Sequence, residues 1–443
     1  MAPNQALSFL ALFLTVAGIF WFGCLKKPER LLPAAMLLGP LFLPPWRSIP
    51  LPGWALEKVS AISMPAICLL TMIPARRWRE MRLFLPDIFL LLFVAWNVVA
   101  CASNLSAYSG VYRGIHLLMH MVVPWLVGKL CLNSEEDLRA LVGTIWWVPI
   151  FYCAAAVLEA IKGPTFSAII YGESGPLMPR GFLFRPPVFT LHSLEMGNFI
   201  GLLALLLGAS LYSKFLDDDR ALRDRARLGF VAAIVCVGIT QSRGPITALG
   251  LGVFVVLFLR HVNLLYSALA SGGVALFFWM MSPYGSGHAV GSMVASGGDQ
   301  LAVNLFFRFQ QIDIFKTMMD GKELLGWGES WPRTQSIKTI DGQLLLITLG
   351  TGYVGAILIS LHWVTAGYWA ARGSHARSHV WHWLGAGFAG MLAFLTFSAW
   401  GDSFIRSQHF LLIGAIPAAL ARLKLAEARE LDGDVKEARW QFG

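Results

Sequence analysis

Apolar runs long enough to cross a hydrocarbon core recur along nearly the whole chain, broken by short polar connections. A spanning helix needs about 20 such residues, each rising about 1.5 Å. The pattern predicts about 13 helices, near 5–25, 31–45, 59–74, 87–103, 113–131, 139–161, 192–213, 227–241, 245–260, 262–281, 343–369, 384–400 and 408–421. The second, eighth and ninth are short, as suits helices that tilt little or stand beside a cavity. The predicted fold class is all-α, a polytopic transmembrane helical bundle of about 12–13 helices. It divides into N-terminal helices over 1–161, a Gly- and Pro-rich loop over 162–191, central helices over 192–281, a long loop over 282–342, C-terminal helices over 343–421 and a tail over 422–443. In the long loop, Leu305, Phe306, Phe309, Ile312, Phe315 and Met319 recur at helical spacing and predict an interfacial helix near 304–319.

Composition agrees. Only 14% of the 443 residues are charged, 56% are hydrophobic and the mean hydropathy is +0.61, against about 25% charged in a soluble domain. The net charge of +9 sits mainly in short connections, so it speaks for topology rather than for nucleic acid. The first apolar run lacks a positive n-region and is followed by Lys26, Lys27 and Arg30, the arrangement of a retained helix rather than a cleaved signal. The cysteines (Cys24, Cys68, Cys101, Cys131, Cys153, Cys236) lie in or beside apolar runs without metal-ligand spacing, and are expected to be small core residues.

Charge also orients the chain. Alternate connections hold 22 of the 35 Lys and Arg residues, in clusters such as Arg76, Arg77, Arg79 and Arg82, or Lys214 to Arg227. Basic clusters mark cytoplasmic loops, which puts the N-terminus outside and the tail inside. Two of these connections read as solvated helix starts: Asn133-Ser134-Glu135-Glu136-Asp137 as an N-cap, and Asp217 to Arg227 as an exposed helix extension.

On the opposite side stand the residues with chemical potential. Arg243 occupies the tight turn Gln241-Ser242-Arg243-Gly244-Pro245 between two apolar runs. It is either a snorkelling anchor or a guanidinium whose planar fork grips a phosphate. Arg180 and Arg185 lie among prolines and aromatics that stiffen the backbone. His192 and Glu195, three apart, are a base and its orienting partner, or a helix-start charge and a satisfied polar pair. Arg308 and Asp313 accompany the amphipathic stretch, and Asp341 stands before the helix at 343, either as an N-cap carboxylate or as a general base for a sugar hydroxyl.

Other patterns carry less. Gly350-Thr351-Gly352-Tyr353-Val354-Gly355 lies inside an apolar span, without the strand a dinucleotide fingerprint follows, and reads as close helix packing. His375, His379 and His382 share a connection with Arg372 and Arg377, which oppose a metal. His116 and His120, inside a span, read as interhelical hydrogen-bonding groups. No metal site is predicted.

Three of these pieces together resemble the O-antigen ligase and Wzy-type polysaccharide polymerase superfamily of bacterial inner membranes. They are Ser242-Arg243-Gly244 at a helix-to-helix turn, the segment Arg185 to Gly197, and Arg308 with Gly326-Trp327-Gly328, Asp341 and Leu349 to Gly355. The likeness covers roughly residues 180–360. It implies a GT-C-like bundle in the inner membrane, with its active site facing the periplasm and its long periplasmic loop carrying short amphipathic helices. It implies an undecaprenyl-pyrophosphate-linked glycan as donor and no cofactor or essential metal. Membrane lipids and polysaccharide assembly or export proteins would be its partners. Arg185 and Arg243, with Arg180 and Arg308, would hold the pyrophosphate, and Asp341, His192 and Glu195 would serve the acceptor. Ligases of the family tend to carry a His-Asn pair where this chain has Asp341-Gly342, which favours a repeat-unit polymerase over a ligase. A transporter or flippase is the reading from another class. It needs mid-membrane charges or broken helices and often internal repeats, of which the sequence shows few signs.

Overall fold

The computed structural model describes residues 3–419 except 26, 45–48, 52–53, 133, 164, 172–178, 181–182, 191, 213–215, 259–262, 283, 296–299, 329–341, 374–378, 402–406 and 417. The first half holds α1 (Pro3–Leu25), α2 (Pro28–Phe42), α3 (Ser60–Leu70), α4 (Ala75–Arg79), α5 (Leu85–Asn104), α6 (Ala107–Leu117), α7 (Val123–Cys131), α8 (Glu135–Ile145), α9 (Val148–Lys162) and α10 (Phe166–Tyr171). The second holds α11 (Ser193–Tyr212), α12 (Arg220–Ile239), α13 (Arg243–Phe258), α14 (Asn263–Met281), α15 (Gly287–Ala295), α16 (Gln300–Lys316), α17 (Gln343–Gly373) and α18 (His379–Gly401), then α19 (Ser407–Ile416). A single π turn, Leu118–Val122, joins α6 to α7. Strands among the described residues form two antiparallel hairpins, β1 (Ile49–Leu51) with β2 (Trp54–Leu56) and β3 (Pro179–Arg180) with β4 (Leu183–Phe184).

Six helical stretches among the described residues are long and apolar enough to cross a membrane, and five shorter apolar helices stand among them. The chain is a multi-pass membrane protein. Each apolar run predicted from the sequence contains helix among its described residues, 113–131 as α6 with α7 and 139–161 as α8 with α9, and local signals set the boundaries that differ. Helix α2 opens at Pro28, whose fixed φ and missing N–H suit a first turn. Helix α3 ends at Leu70, because Pro74 disfavours helical backbone at the residue before it. Helix α12 reaches back to Arg220, capped where Asp219 accepts the Leu222 N–H at 2.9 Å, so the run that looked short is 20 residues long.

Connections fall at two ends of the bundle. One end, here the basic end, carries α4 and the starts of α8 and α12. Ser134 accepts the Asp137 N–H there at 3.2 Å, the expected N-cap. Arg77 clamps Asp137 with both terminal nitrogens (3.1 and 3.2 Å) and donates to the Leu130 carbonyl at 2.9 Å. Just inside this end, Lys129 and Asp87 form a fully buried ion pair. Asp87 also accepts from Trp125 Nε1 (2.7 Å) and the Phe84 N–H (2.8 Å), so the charges are not left bare in the apolar interior.

The other end, here the hairpin end, carries both hairpins, the turn before α13, and α15 with α16. The amphipathic helix is present as α16 and its apolar stripe is inside: Ile312, Phe315 and Met319 are buried. The Gly- and Ser-rich stretch before it, read as loop, contains α15. Asp313 makes that helix possible by accepting the N–H groups of Gly287 (2.9 Å) and His288 (2.6 Å) at its first turn.

Helix α17 is broken at Gly352, where φ is 69° and ψ is −174°. The Gly350–Gly355 pattern thus serves close packing of a loop against a broken helix, rather than of one helix against another. Trp327 and Gly328 donate to the carbonyls of Leu349 and Gly350 (2.7 and 2.9 Å), and Tyr353 donates to the Glu323 carbonyl at 2.7 Å. A Cβ at Gly352 would run into the carbonyl of Leu324. Of the cysteines, Cys101, Cys131 and Cys236 are core residues as expected, Cys153 is half-buried, and Cys24 and Cys68 face outward.

Candidate functional site

The site is built where the 162–192 segment crosses the turn between α12 and α13. Glu159, at the end of α9, fixes that segment by its backbone. One carboxylate oxygen accepts the Phe166 N–H (2.6 Å) and the other the Val188 N–H (2.8 Å). Phe189 then inserts into an aromatic cluster formed by Phe42, Phe151, Tyr152, Phe166 and Tyr171, with ring centroids 6.1–6.4 Å away. Pro186 and Pro187 are buried beside it. The backbone that presents Arg185 is therefore held from both sides.

Arg185 reaches across to the α12–α13 turn. Its Nη2 donates to Ser242 Oγ at 2.5 Å, and its Nε faces the Thr240 carbonyl at 3.4 Å. Ser242 is buried, with its N–H on Thr240 Oγ1 (3.2 Å) and its hydroxyl 3.4 Å from that of Ser193. Arg243 follows as the first residue of α13, with its side chain exposed. The start of α11 packs directly on this turn: a Cβ at Gly197 would lie 2.7 Å from the Pro245 ring.

Val188 (φ 53°) and Gln241 (φ 50°) are the two non-glycine residues with left-handed backbone among those described. Each lies within three residues of one of the site arginines, Arg185 and Arg243. Such conformations cost about 1–3 kcal/mol and persist where surrounding packing over-determines them. Here the buffering contacts are those of Glu159 and Phe189 on one side and of Thr240 and Pro245 on the other.

His192 and Glu195 do not meet as base and carboxylate partner in their described hydrogen bonds. His192 Nδ1 accepts the Glu195 N–H at 3.2 Å, which makes the imidazole a cap of α11. The buried Glu195 carboxylate instead forms a salt bridge with Lys58 at 3.1 Å. Arg180 pairs with Leu183 in the second hairpin and Arg308 lies in α16, but their side chains, like the whole of Asp341, lie outside the described residues.

Three groups near this site escaped the sequence reading. Lys58 is one, and Glu57 beside it is another: Glu57 Oε1 lies 2.7 Å from His120 Nε2 and 3.6 Å from His116 Nε2. The third is Arg113, whose Nε donates to Asn97 at 2.9 Å. A signal existed for the first two, an acidic–basic pair directly before an apolar run.

These groups are sunk into the bundle. Ser63 Oγ donates to the Met119 carbonyl at 2.6 Å, which sets the level of α3 against the α6–α7 span. At 1.5 Å per residue, Ser60 rises only about 4.5 Å above that point while Ala107 rises about 18 Å. The chain therefore enters α3 about 13 Å below the end of its neighbour, and carries Glu57 and Lys58 down with it. Chemically, the arrangement offers the held Arg185 guanidinium and the exposed Arg243 side chain for an anion, a neutralised carboxylate, and an imidazole–carboxylate group alongside. Compared with known proteins, the chain matches no family model and no curated protein.

Proposed function

We propose that this chain is a glycosyltransferase of the bacterial inner membrane, working at its periplasmic face on an undecaprenyl-pyrophosphate-linked oligosaccharide and most consistent with polymerisation of repeat units. The hydrogen bond from Arg185 Nη2 to Ser242 Oγ carries the reading. It joins two stretches 57 residues apart that the resemblance singles out separately. The hairpin end is then the periplasmic end, opposite the basic clusters.

In this reading Arg185 and Arg243 bind the donor pyrophosphate and stabilise the charge that develops as it leaves. Ser242 fixes the Arg185 fork, and the strained turn fixes Arg243. The acceptor hydroxyl loses its proton as it attacks the anomeric carbon. A neutral His192 whose Nδ1 accepts a backbone N–H carries its proton on Nε2, so it donates a hydrogen bond instead of accepting that proton. Glu195 is engaged by Lys58. The role of base falls to Asp341.

A transporter reading draws on the buried Asp87–Lys129 pair and on the break in α17 at Gly352. The Leu349 and Gly350 carbonyls at that break are taken by Trp327 and Gly328, so it offers them to no ion. The test is transfer of a lipid-linked glycan by purified protein in lipid, with Arg185→Ala and Arg243→Ala compared at equal protein level. Full activity in both variants overturns the proposal. Elongated lipid-linked product identifies a polymerase, whereas transfer only to a lipid A-core acceptor identifies a ligase.

A further inference from the structure

We infer that Glu57, His116 and His120 form a binding site for one divalent transition-metal ion of borderline softness, of which Zn²⁺ is the type. Their ligand atoms lie within 4.8 Å of one another. Two imidazoles and one carboxylate are a donor set such ions take, with positions left open for water or another ligand. Bonds of about 2.0–2.1 Å in tetrahedral geometry require ligand atoms about 3.3 Å apart. The Glu57 Oε1 separations of 2.7 and 3.6 Å bracket that edge, and the two imidazoles, stacked with planes 11° from parallel, must turn out of their stack for both in-plane lone pairs to meet one ion.

The backbone is irregular at this grouping. A π turn, Leu118–Val122, interrupts the helix between His116 and His120, and such bulges frequently mark functional positions. The two rings stack with centroids 4.1 Å apart and planes 11° from parallel, and both Nε2 atoms face the same carboxylate oxygen. Of the nearby cations, Lys58 bonds Glu195 at 3.1 Å and Arg113 Nε donates to Asn97 at 2.9 Å. The ligand side chains remain 20–36% exposed, so an ion can enter from the recess above α3. The ion is separate from the arginine chemistry, which needs none for charge neutralisation.

The experiment uses full-length protein in lipid nanodiscs, freed of any histidine tag, stripped with chelator, exposed to Zn²⁺ and desalted. Elemental analysis is expected to return about one Zn²⁺ per chain, and Co²⁺ in its place to give a ligand-field absorption band. Both signals should vanish in His116→Ala/His120→Ala, and Glu57→Gln should weaken Zn²⁺ binding more than about tenfold. Should the double variant fail to fold, the wild-type Co²⁺ band and the Glu57→Gln affinity decide. The inference is overturned if wild-type protein retains no ion and shows no band. It is equally overturned if the variants keep the ion, or if the ion is lost only in His379→Ala/His382→Ala. Metal content is read without any glycan substrate, so this result and that of the transfer assay are independent.

Discussion

Arg185 Nη2 donates to Ser242 Oγ at 2.5 Å, so the guanidinium is anchored by the residue immediately before Arg243. Arg185 is thus tied to the turn that starts α13, and removing the Ser242 hydroxyl separates its positioning from its charge. Ser242→Ala is expected to lower turnover about 10- to 100-fold, the kinetic equivalent of a hydrogen bond to a charged group. Ser242→Thr should recover most of it. Turnover of the alanine variant equal to wild type would show that Arg185 needs no anchor.

Arg243 makes a sharper test of bidentate recognition. Arg243→Ala should cost about 10²–10³ in kcat, the usual loss for a donor aimed at developing charge. Arg243→Lys keeps the charge but loses the planar fork, and should recover only a small part of the activity. Steady-state transfer rates in nanodiscs distinguish the three proteins.

Lys58 and Glu195 should behave as a coupled pair. Lys58→Met leaves a buried carboxylate without its cation and should destabilise the protein by about 3 kcal/mol. Adding Glu195→Gln should return most of that loss. Chemical denaturation of the single and double variants reads the coupling directly, and simple additivity would contradict it.

Gly352 should tolerate no side chain. Its positive φ disfavours any Cβ, and the Leu324 carbonyl occupies the space a Cβ would need. Gly352→Ala is expected to lower the melting temperature by several degrees and to expose the 320–328 segment to protease. Gly350→Ala, whose nearest obstacle is the Gly328 carbonyl at 3.3 Å, should be far milder.

The helices were legible because an apolar run of spanning length has few other outcomes in a chain this poor in charge. The first turns of α12 were readable as an extension for the same reason, since Arg220 to Arg227 continue the helix into water. Helix α15 was not, because its formation depends on Asp313, 26 residues beyond Gly287. The break in α17 depends on a loop docking against it, which no local pattern records. The resemblance paired Arg185 with Arg243, whereas the hydrogen bond from Arg185 to Ser242 is seen only in the fold. Glu57, His116 and His120 lie some 60 residues apart, so His116 and His120 alone looked like ordinary polar groups in a span.

Glu159 has a consequence for where Arg185 stands. With one oxygen on Phe166 and the other on Val188, it staples both ends of the intervening excursion to the same point on α9. The level at which Arg185 stands is thereby set by α9, through the contacts of Glu159 with Phe166 and Val188.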